Sequence, residues 1–451
     1  MQTPTFNPAA WQNRWDALQK TMDHTLKAMQ QQEKAVRQPT LESTLTALKA
    51  FGESQVRFFL DGFGTNAAVF LEPSITYPPE YALRTTLDQI AHDMDVIVRA
   101  WQQRLAALAS PAMIKTLKRA DTLAYQSLEP AIRHGVIENA TVVTYFQKAT
   151  DVRLIPYAPV IFIGLPLSIL TAPQDLLAIP HEVGHYIYRF GRVRAGGKFA
   201  GSRFDAALVH RFADKPAWCV AWLEEIFADV YGALIGGPVM ALGFEALVTD
   251  DPLDAFTHDD GEHPVAALRP NIYHAVFKAL GGFEHARATL VARWEDWQGE
   301  RGKPSNFTTS YGDTIDLADA QAVIEAVVIS LLQNDLTHVL ADPLWSNEFL
   351  DSESVAALDD QFLRYVEMLP TNGVAVPDIE MAEDSTGQWM RLRGVGTKSV
   401  ERRVGDTGLW IDAIKAAAQR KPGFNMPPQV WMALLDGSGW ATEGPGGGNA
   451  H

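Results

Sequence analysis

The sequence predicts an α+β protein that is predominantly α-helical. Three observations lead to this prediction. Apolar residues recur at helical spacing through most of the first third of the chain. Three short runs rich in β-branched and aromatic residues follow between residues 141 and 163, where they predict a small β-sheet. Beyond these runs, two further apolar segments have the length and composition of buried helices.

The first third of the chain predicts a helical domain, assigned to residues 1–138. Trp11, Trp15 and Met22 share one face of a helix expected over residues 8–36. The same spacing predicts further helices over residues 41–59, 78–105 and 111–134. We interpret these apolar faces as core packing rather than as a partner-binding surface.

The middle and the end of the chain show similar patterns. Strands are expected over residues 141–146, 151–155 and 160–163. Later helices are expected over residues 316–333, 352–369 and 409–419, with an irregular segment over residues 371–408. The Gly-rich end of the chain is expected to be flexible. The predicted domains after the first are therefore a core over residues 139–300, a helical and irregular region over 301–436, and a tail over 437–451.

Composition limits the classes of function. The 451 residues carry a net charge of −16, so no nucleic-acid partner is expected, because phosphate contacts need a basic surface. The single cysteine, Cys219, cannot form a disulfide within the chain. The apolar run over residues 158–170 is too short, and too interrupted by proline and glycine, for a membrane span. With no signal-peptide pattern at the N-terminus, a cytoplasmic protein is expected.

One short segment carries the pattern of a metal site. It is His181-Glu182-Val183-Gly184-His185. Residues i and i+4 of a helix share one face, so both imidazoles can bind one zinc ion. Glu182 follows the first histidine directly, where a carboxylate can activate a water molecule. The alternative interpretation is two buried histidines and a surface glutamate on an ordinary helix.

A second segment, residues 216–235, is apolar on nearly every face apart from three acids. Buried carboxylates need a cation or a hydrogen-bond partner. No Lys or Arg follows Lys215 in this segment, so a metal ion is expected to supply the positive charge. Glu225 is the expected third ligand. Asp229, four residues later, is expected to hold the far nitrogen of a liganding histidine. Glu224 stays open as the alternative ligand, although only Glu225 has an aspartate at i+4.

Together the two segments resemble the gluzincin zinc metallopeptidases. The run Glu224-Glu225-Ile226-Phe227-Ala228-Asp229 is similar to the EExxAD form found in the soluble minigluzincins and in the CAAX-prenyl protease family. The resemblance covers about residues 140–275. It implies Zn²⁺ held by His181, His185 and Glu225, with Glu182 as general base. It also implies a small sheet beside two zinc-binding helices and a peptide or protein substrate that pairs with the sheet edge.

A third segment, His263-Pro264 followed by Arg269, resembles the His-Pro…Arg segment of the same family. The resemblance implies that His263 lies near the zinc and stabilises the oxyanion, with Arg269 as a structural support. Tyr273 is the second candidate for this catalytic role. Further rivals are His274 and His258.

The chain departs from the family pattern around the metal helix. Thr171 is expected to cap a helix that continues through the histidines, yet Pro180 within it would lose a backbone hydrogen bond. Either the helix kinks before His181 or a new helix begins there. The interval from His185 to Glu225 is 40 residues, longer than in thermolysin-like enzymes. Its basic, Gly-containing part, residues 192–198, is interpreted as a solvated loop.

These patterns predict a zinc metalloendopeptidase that acts on a peptide or protein. The alternative is a non-proteolytic or latent zinc-binding protein, a sensor or regulator built on a peptidase-like core. The alternative is supported by the length of chain that lies outside the region of resemblance, because a regulator would need parts beyond the peptidase-like core. The presence of every catalytic residue type, Glu182 included, favours the peptidase.

Overall fold

A computed structural model describes residues 7–32, 35–70, 81–133, 135–171, 173–195, 198–249 and 252–332, together with residues 356, 359, 360, 362 and 363. The fold is mostly helical with small β-sheets, which confirms the predicted class. The predicted helix over residues 352–369 lies mostly outside the described residues. The predicted irregular segment 371–408, the helix 409–419 and the Gly-rich tail 437–451 lie entirely outside them.

The helices expected in the first third of the chain and over residues 316–333 are present, and six others lie between them in the described part of the chain. They are α1 Pro8–Gln31, α2 Gln38–Phe70, α3 Tyr81–Gln102, α4 Pro111–Arg133, α5 Ile179–Phe190, α6 Phe204–Arg211, α7 Ala217–Ala221, α8 Leu223–Thr249, α9 Arg269–Leu280, α10 Glu284–Glu300 and α11 Leu317–Leu332. Within the described N-terminal part, Trp11, Trp15, Met22 and Met29 are buried, as the core-packing interpretation predicts.

The strands form one three-stranded sheet and two hairpins. They are β1 Thr141–Gln147, β2 Asp151–Arg153, β3 Val160–Pro166, β4 Arg192–Ala195, β5 Lys198–Arg203, β6 Asn306–Thr308 and β7 Thr314–Asp316. The sheet has the order β1-β3-β2, and β2 pairs antiparallel with β3 in the register Val152 to Ile163. The predicted solvated loop after α5 is instead the antiparallel hairpin of β4 and β5.

The chain divides into two compact units. Among the described residues, the first unit comprises the part up to Asp121 and Asn139–Leu165, and the second comprises Thr122–Glu138 and the part from Pro166 onward. This division places the three-stranded sheet with the N-terminal helices, whereas the sequence analysis placed it with the core over residues 139–300. The physical reason is burial, because Val143 and Phe162 belong to the same apolar cluster as Trp15 and Ile90.

Buried charged pairs accompany the apolar core of the first unit. Arg153 Nη2 donates to Asp93 Oδ1 at 2.6 Å, and Arg104 Nη2 donates to Asp121 at 2.9 Å. All four side chains are buried. Because a buried charge needs a partner, the first pair links β2 to α3, and the second links the segment after α3 to the residues of α4 in this unit.

The second unit contains the predicted metal helix, which begins later than expected. A short 3₁₀ helix, Pro173–Ala178, precedes α5, and Pro180 lies in the first turn of α5. Proline is tolerated there because the first amides of a helix have no intrahelical acceptor. The predicted cap at Thr171 is wrong, since its hydroxyl donates back to the Ser168 carbonyl. A new helix therefore begins just before His181.

Helix α8 is the most buried helix of the second unit. Gly237, with φ of 67° and ψ of −165°, makes a kink between two helical segments, so the chain turns at Gly236-Gly237-Pro238 and then continues as helix. Among the described residues, α8 alone has the length and composition to cross a membrane. The most apolar 18-residue stretch of α8 is 94% buried, as is usual for a helix in the core of a protein.

Candidate metal centre

Helix α5 places two imidazoles one turn apart, and α8 brings a carboxylate to both. The Nε2 atoms of His181 and His185 are 3.1 Å apart. Glu225 Oε2 lies 3.4 Å from His181 Nε2, and Glu225 Oε1 lies 3.2 Å from His185 Nε2. All three residues are buried. These three residues can therefore hold a metal ion.

The separations of the donor atoms fit a small tetrahedral site. Ligand bonds of about 2.0–2.1 Å around zinc place neighbouring donor atoms about 3.3 Å apart. The Nε2–Nε2 separation of 3.1 Å is close to this value, and each Nε2 atom has a different oxygen of Glu225 at 3.2 or 3.4 Å. The structure also decides the open choice between the two glutamates, because Glu225 and not Glu224 approaches both Nε2 atoms.

A close helix crossing makes this convergence possible. A Cβ atom at Gly184 would lie 2.8 Å from the Cα atom of Ala228. Gly184 lies between the two histidines of α5, and Ala228 follows Glu225 by three residues on α8. Glycine is therefore required because α8 passes directly over the backbone of the metal helix.

Replacing Gly184 by alanine is expected to lower the free energy of unfolding by about 1–3 kcal/mol, because backbone atoms of α8 must move to admit the methyl group. Urea unfolding measures this change. Gly243→Ala is the matched control, since its Cβ would have only an ordinary 3.6 Å contact with Leu177. Within α8 that control is expected to be neutral or stabilising by up to about 1 kcal/mol. Equal stability of the Gly184 variant and the wild type would contradict the close crossing.

Each imidazole has a carboxylate behind it. Asp229 Oδ1 lies 2.9 Å from His181 Nδ1, which is the pairing that the sequence analysis expected. Glu224 Oε1 lies 3.2 Å from His185 Nδ1 and accepts a 2.9 Å hydrogen bond from Arg189 Nε. A carboxylate at Nδ1 orients the ring and keeps Nε2 available for a metal. Sequence analysis missed this role of Glu224.

Arg269 joins the carboxylates of the site. Its Nη2 donates to Glu225 Oε2 at 2.6 Å, and its Nε donates to Asp229 Oδ2 at 2.8 Å. The sequence analysis expected a metal to supply the missing positive charge for these acids. Arg269 of α9 contributes part of that charge across the helix interface. Glu225 Oε1 has no bond to this arginine and faces His185 Nε2.

Tyr273 lies behind the metal ligands. Its hydroxyl donates to Asp229 Oδ1 at 3.0 Å, and its side chain is fully buried. The sequence analysis named Tyr273 as a catalytic candidate. The single phenolic proton is instead committed to Asp229, so we assign Tyr273 to the support of that carboxylate.

His263 lies at the exposed side of the site. Its Nε2 is 3.5 Å from Glu225 Oε1, and its side chain is 36% exposed. Its Nδ1 donates to Asp260 Oδ2 at 2.8 Å. The hydrogen bond to Asp260 raises the pKa of His263 to about 9, so the ring carries an N–H at Nε2 near neutral pH. Sequence analysis missed Asp260.

The two rival histidines have other partners. His274 Nε2 lies 2.8 Å from Glu245 Oε1, in a buried pair between α9 and α8. His258 forms a backbone bridge with Thr308 of β6. Of the four candidates for the oxyanion role, His263 is therefore the one whose partly exposed ring lies near a candidate metal ligand, Glu225.

Buried acids control the protonation of the imidazoles. Burial alone lowers the pKa of His181, but the charges of Asp229 and Glu225 outweigh it and raise that pKa to about 10. Burial likewise lowers the pKa of His185, and Glu225 and Glu224 raise it above its usual value. Burial favours the neutral form of Glu225, yet Arg269 and the histidines hold its pKa well below the usual range. Glu225 is therefore ionised, as a metal ligand must be.

Glu182 lies in the first turn of α5, between the two histidines, and is half-buried. Glu182 is therefore more exposed than Glu225, the candidate ligand, which is buried.

No family model, no curated protein and no solved structure matches this chain.

Proposed function

We propose that this protein is a zinc metalloendopeptidase. The observation that carries the proposal is the convergence of His181 Nε2, His185 Nε2 and the Glu225 carboxylate, with a carboxylate behind each imidazole. Two imidazole nitrogens and one carboxylate oxygen form a donor set that zinc uses in catalytic sites with one open position. Softer metals are disfavoured because no thiolate or thioether belongs to the set.

The protein groups around the metal have separate roles. A zinc ion held there supplies Lewis-acid activation of water and of the scissile carbonyl. Glu182 accepts a proton from the attacking water and passes it to the leaving amine. His263 donates from Nε2 to the carbonyl oxygen as negative charge develops, and Asp260 keeps that ring protonated and oriented.

The remaining groups hold the ligands in place. Asp229 and Glu224 fix the tautomers of the two histidines, so that both Nε2 atoms stay free of protons when a metal binds. Arg269 holds one oxygen of Glu225. This support favours one carboxylate orientation over the alternatives that a free glutamate would sample.

Metal affinity is expected to rise with pH. Because the carboxylates raise the pKa values of both histidines, the metal-free site retains protons near neutral pH that a metal must displace. The apparent association constant should increase about tenfold per pH unit for each displaced proton. Competition with a chromophoric chelator between about pH 6 and about pH 8 measures this slope. An affinity that stays constant over this range would contradict the proposed ligands.

Cleavage of an unfolded protein tests the proposed function. Casein incubated with the full-length protein is expected to be hydrolysed, with loss of activity in a chelator and recovery when zinc is restored. Hydrolysis that persists in the chelator would exclude a metal-dependent reaction. Bound zinc without hydrolysis would favour the alternative, a latent or regulatory zinc-binding protein.

A further inference from the structure

The second unit contains a cavity outside the metal centre. Its volume is about 370 Å³, and it lies between the start of α7 and the β6–β7 hairpin with the first turns of α11. This volume is within the range of small-ligand pockets. The residues that determine its chemistry are Trp218, Tyr311, Asp313, Ile315, Asp319 and Val323.

Both walls of the cavity are connected to the segment that carries His263. On one wall, the ring of Trp218 lies 4.8 Å from that of Trp222, and Trp222 Nε1 donates to Asp259 Oδ1 at 3.0 Å. On the other, the backbone amide of Ser310 donates to Asp259 Oδ2 at 2.8 Å.

Asp259 therefore connects both walls of the cavity to the segment that carries His263. Its carboxylate is buried and also accepts the amide of Gly261 at 2.9 Å. The next residue, Asp260, holds the ring of His263. The cavity walls are thus linked through Asp259 to the segment that carries His263, the group proposed to contact the carbonyl oxygen of a substrate.

The lining has the composition of a site for a cationic side chain. Trp218 and Tyr311 provide aromatic surface, and Tyr311 is 65% exposed. Asp313 and Asp319 add two exposed carboxylates, and none of the lining residues is Lys or Arg. A guanidinium or ammonium group can stack on an aromatic ring while it pairs with a carboxylate.

We propose that this cavity is a specificity subsite that binds an arginine or lysine side chain of a substrate peptide. The proposal rests on the proposed peptidase function. Charge complementarity selects this occupant, because the two acids would disfavour an acidic side chain and an uncharged one would leave them unpaired.

Binding to an inactive full-length protein tests the subsite without turnover. The Glu182→Gln protein is titrated with a short capped peptide that contains one arginine, and with the same peptide that contains neutral citrulline. The arginine peptide is expected to bind about fivefold more tightly, the effect of two exposed charge pairs. In the double variant Asp313→Asn/Asp319→Asn this preference should disappear.

The control is Glu295→Gln/Asp296→Asn on the exposed face of α10, which changes the net charge equally. It should keep the preference for arginine. Three outcomes would overturn the subsite. They are equal binding of the two peptides, no binding of either, and a preference for arginine that survives in the Asp313/Asp319 variant. Casein cleavage without an arginine preference would refute the subsite alone, whereas an arginine preference without any cleavage by the wild type would refute the peptidase alone.

Discussion

Replacing Glu182 by glutamine is expected to abolish peptide hydrolysis while the protein keeps its metal and its fold. The amide has nearly the shape of the carboxylate but cannot accept a proton from water at neutral pH. Loss of a general base reduces turnover by about 10²–10⁴-fold. Glu182 is half-buried in the first turn of α5 and is not one of the three metal-donor residues, so zinc content should not change.

Cleavage of casein by matched amounts of the two proteins measures this effect, with zinc content determined on the same samples. Glu295→Gln is the control, because it makes the same chemical change on an exposed part of α10. Normal cleavage by the Glu182 variant would remove Glu182 from the mechanism. Loss of zinc from that variant would show that Glu182 contributes to metal binding instead.

Replacing Arg269 by methionine is expected to lower the free energy of unfolding by about 3–5 kcal/mol in metal-free protein. The arginine bonds to Glu225 and Asp229, whose side chains are 5% and 0% exposed. Methionine fills much of the same volume against Phe244, whose ring the guanidinium covers at 4.8 Å. The loss would therefore come from two buried carboxylates that no longer have their guanidinium partner.

Urea unfolding in the presence of a chelator measures this change. Arg287→Met is the control, because Arg287 is 37% exposed and forms only a surface pair with Glu284, and we expect a change within about 0.5 kcal/mol. The loss of unfolding free energy for Arg269→Lys should lie between those for Arg269→Met and Arg287→Met. Lysine keeps the charge but cannot bond both acids with one planar group. Similar stability of Arg269→Met and the wild type would contradict the role of this arginine.

Local spacing accounts for much of what the sequence predicts. Residues i and i+4 of a helix share one face, and this rule is enough to place His181 beside His185 and Asp229 beside Glu225. The apolar periodicity of the first third of the chain likewise predicts four helices, and the face predicted for α1 is the one that the structure buries. These features depend on residues within one or two turns of each other, where backbone geometry leaves few alternatives.

Features that depend on distant residues could not be predicted in the same way. The bond of Arg269 to Glu225 joins residues 44 positions apart, and no local pattern indicates it. Glu224 and His185 are separated by 39 positions. Pro180 did carry a usable signal, because proline fits the first turn of a helix far better than its interior. The grouping of β1 to β3 with the N-terminal helices depends on tertiary packing alone.

Metal content tests the central claim most directly. The wild type and the variants His181→Ala, His185→Ala and Glu225→Ala are dialysed against limiting zinc at mildly alkaline pH, and bound metal is measured by mass spectrometry. We expect a single equivalent of tightly bound zinc in the wild type and loss of that zinc from each variant. A wild type that binds no zinc, or variants that bind as much as the wild type, would contradict this expectation.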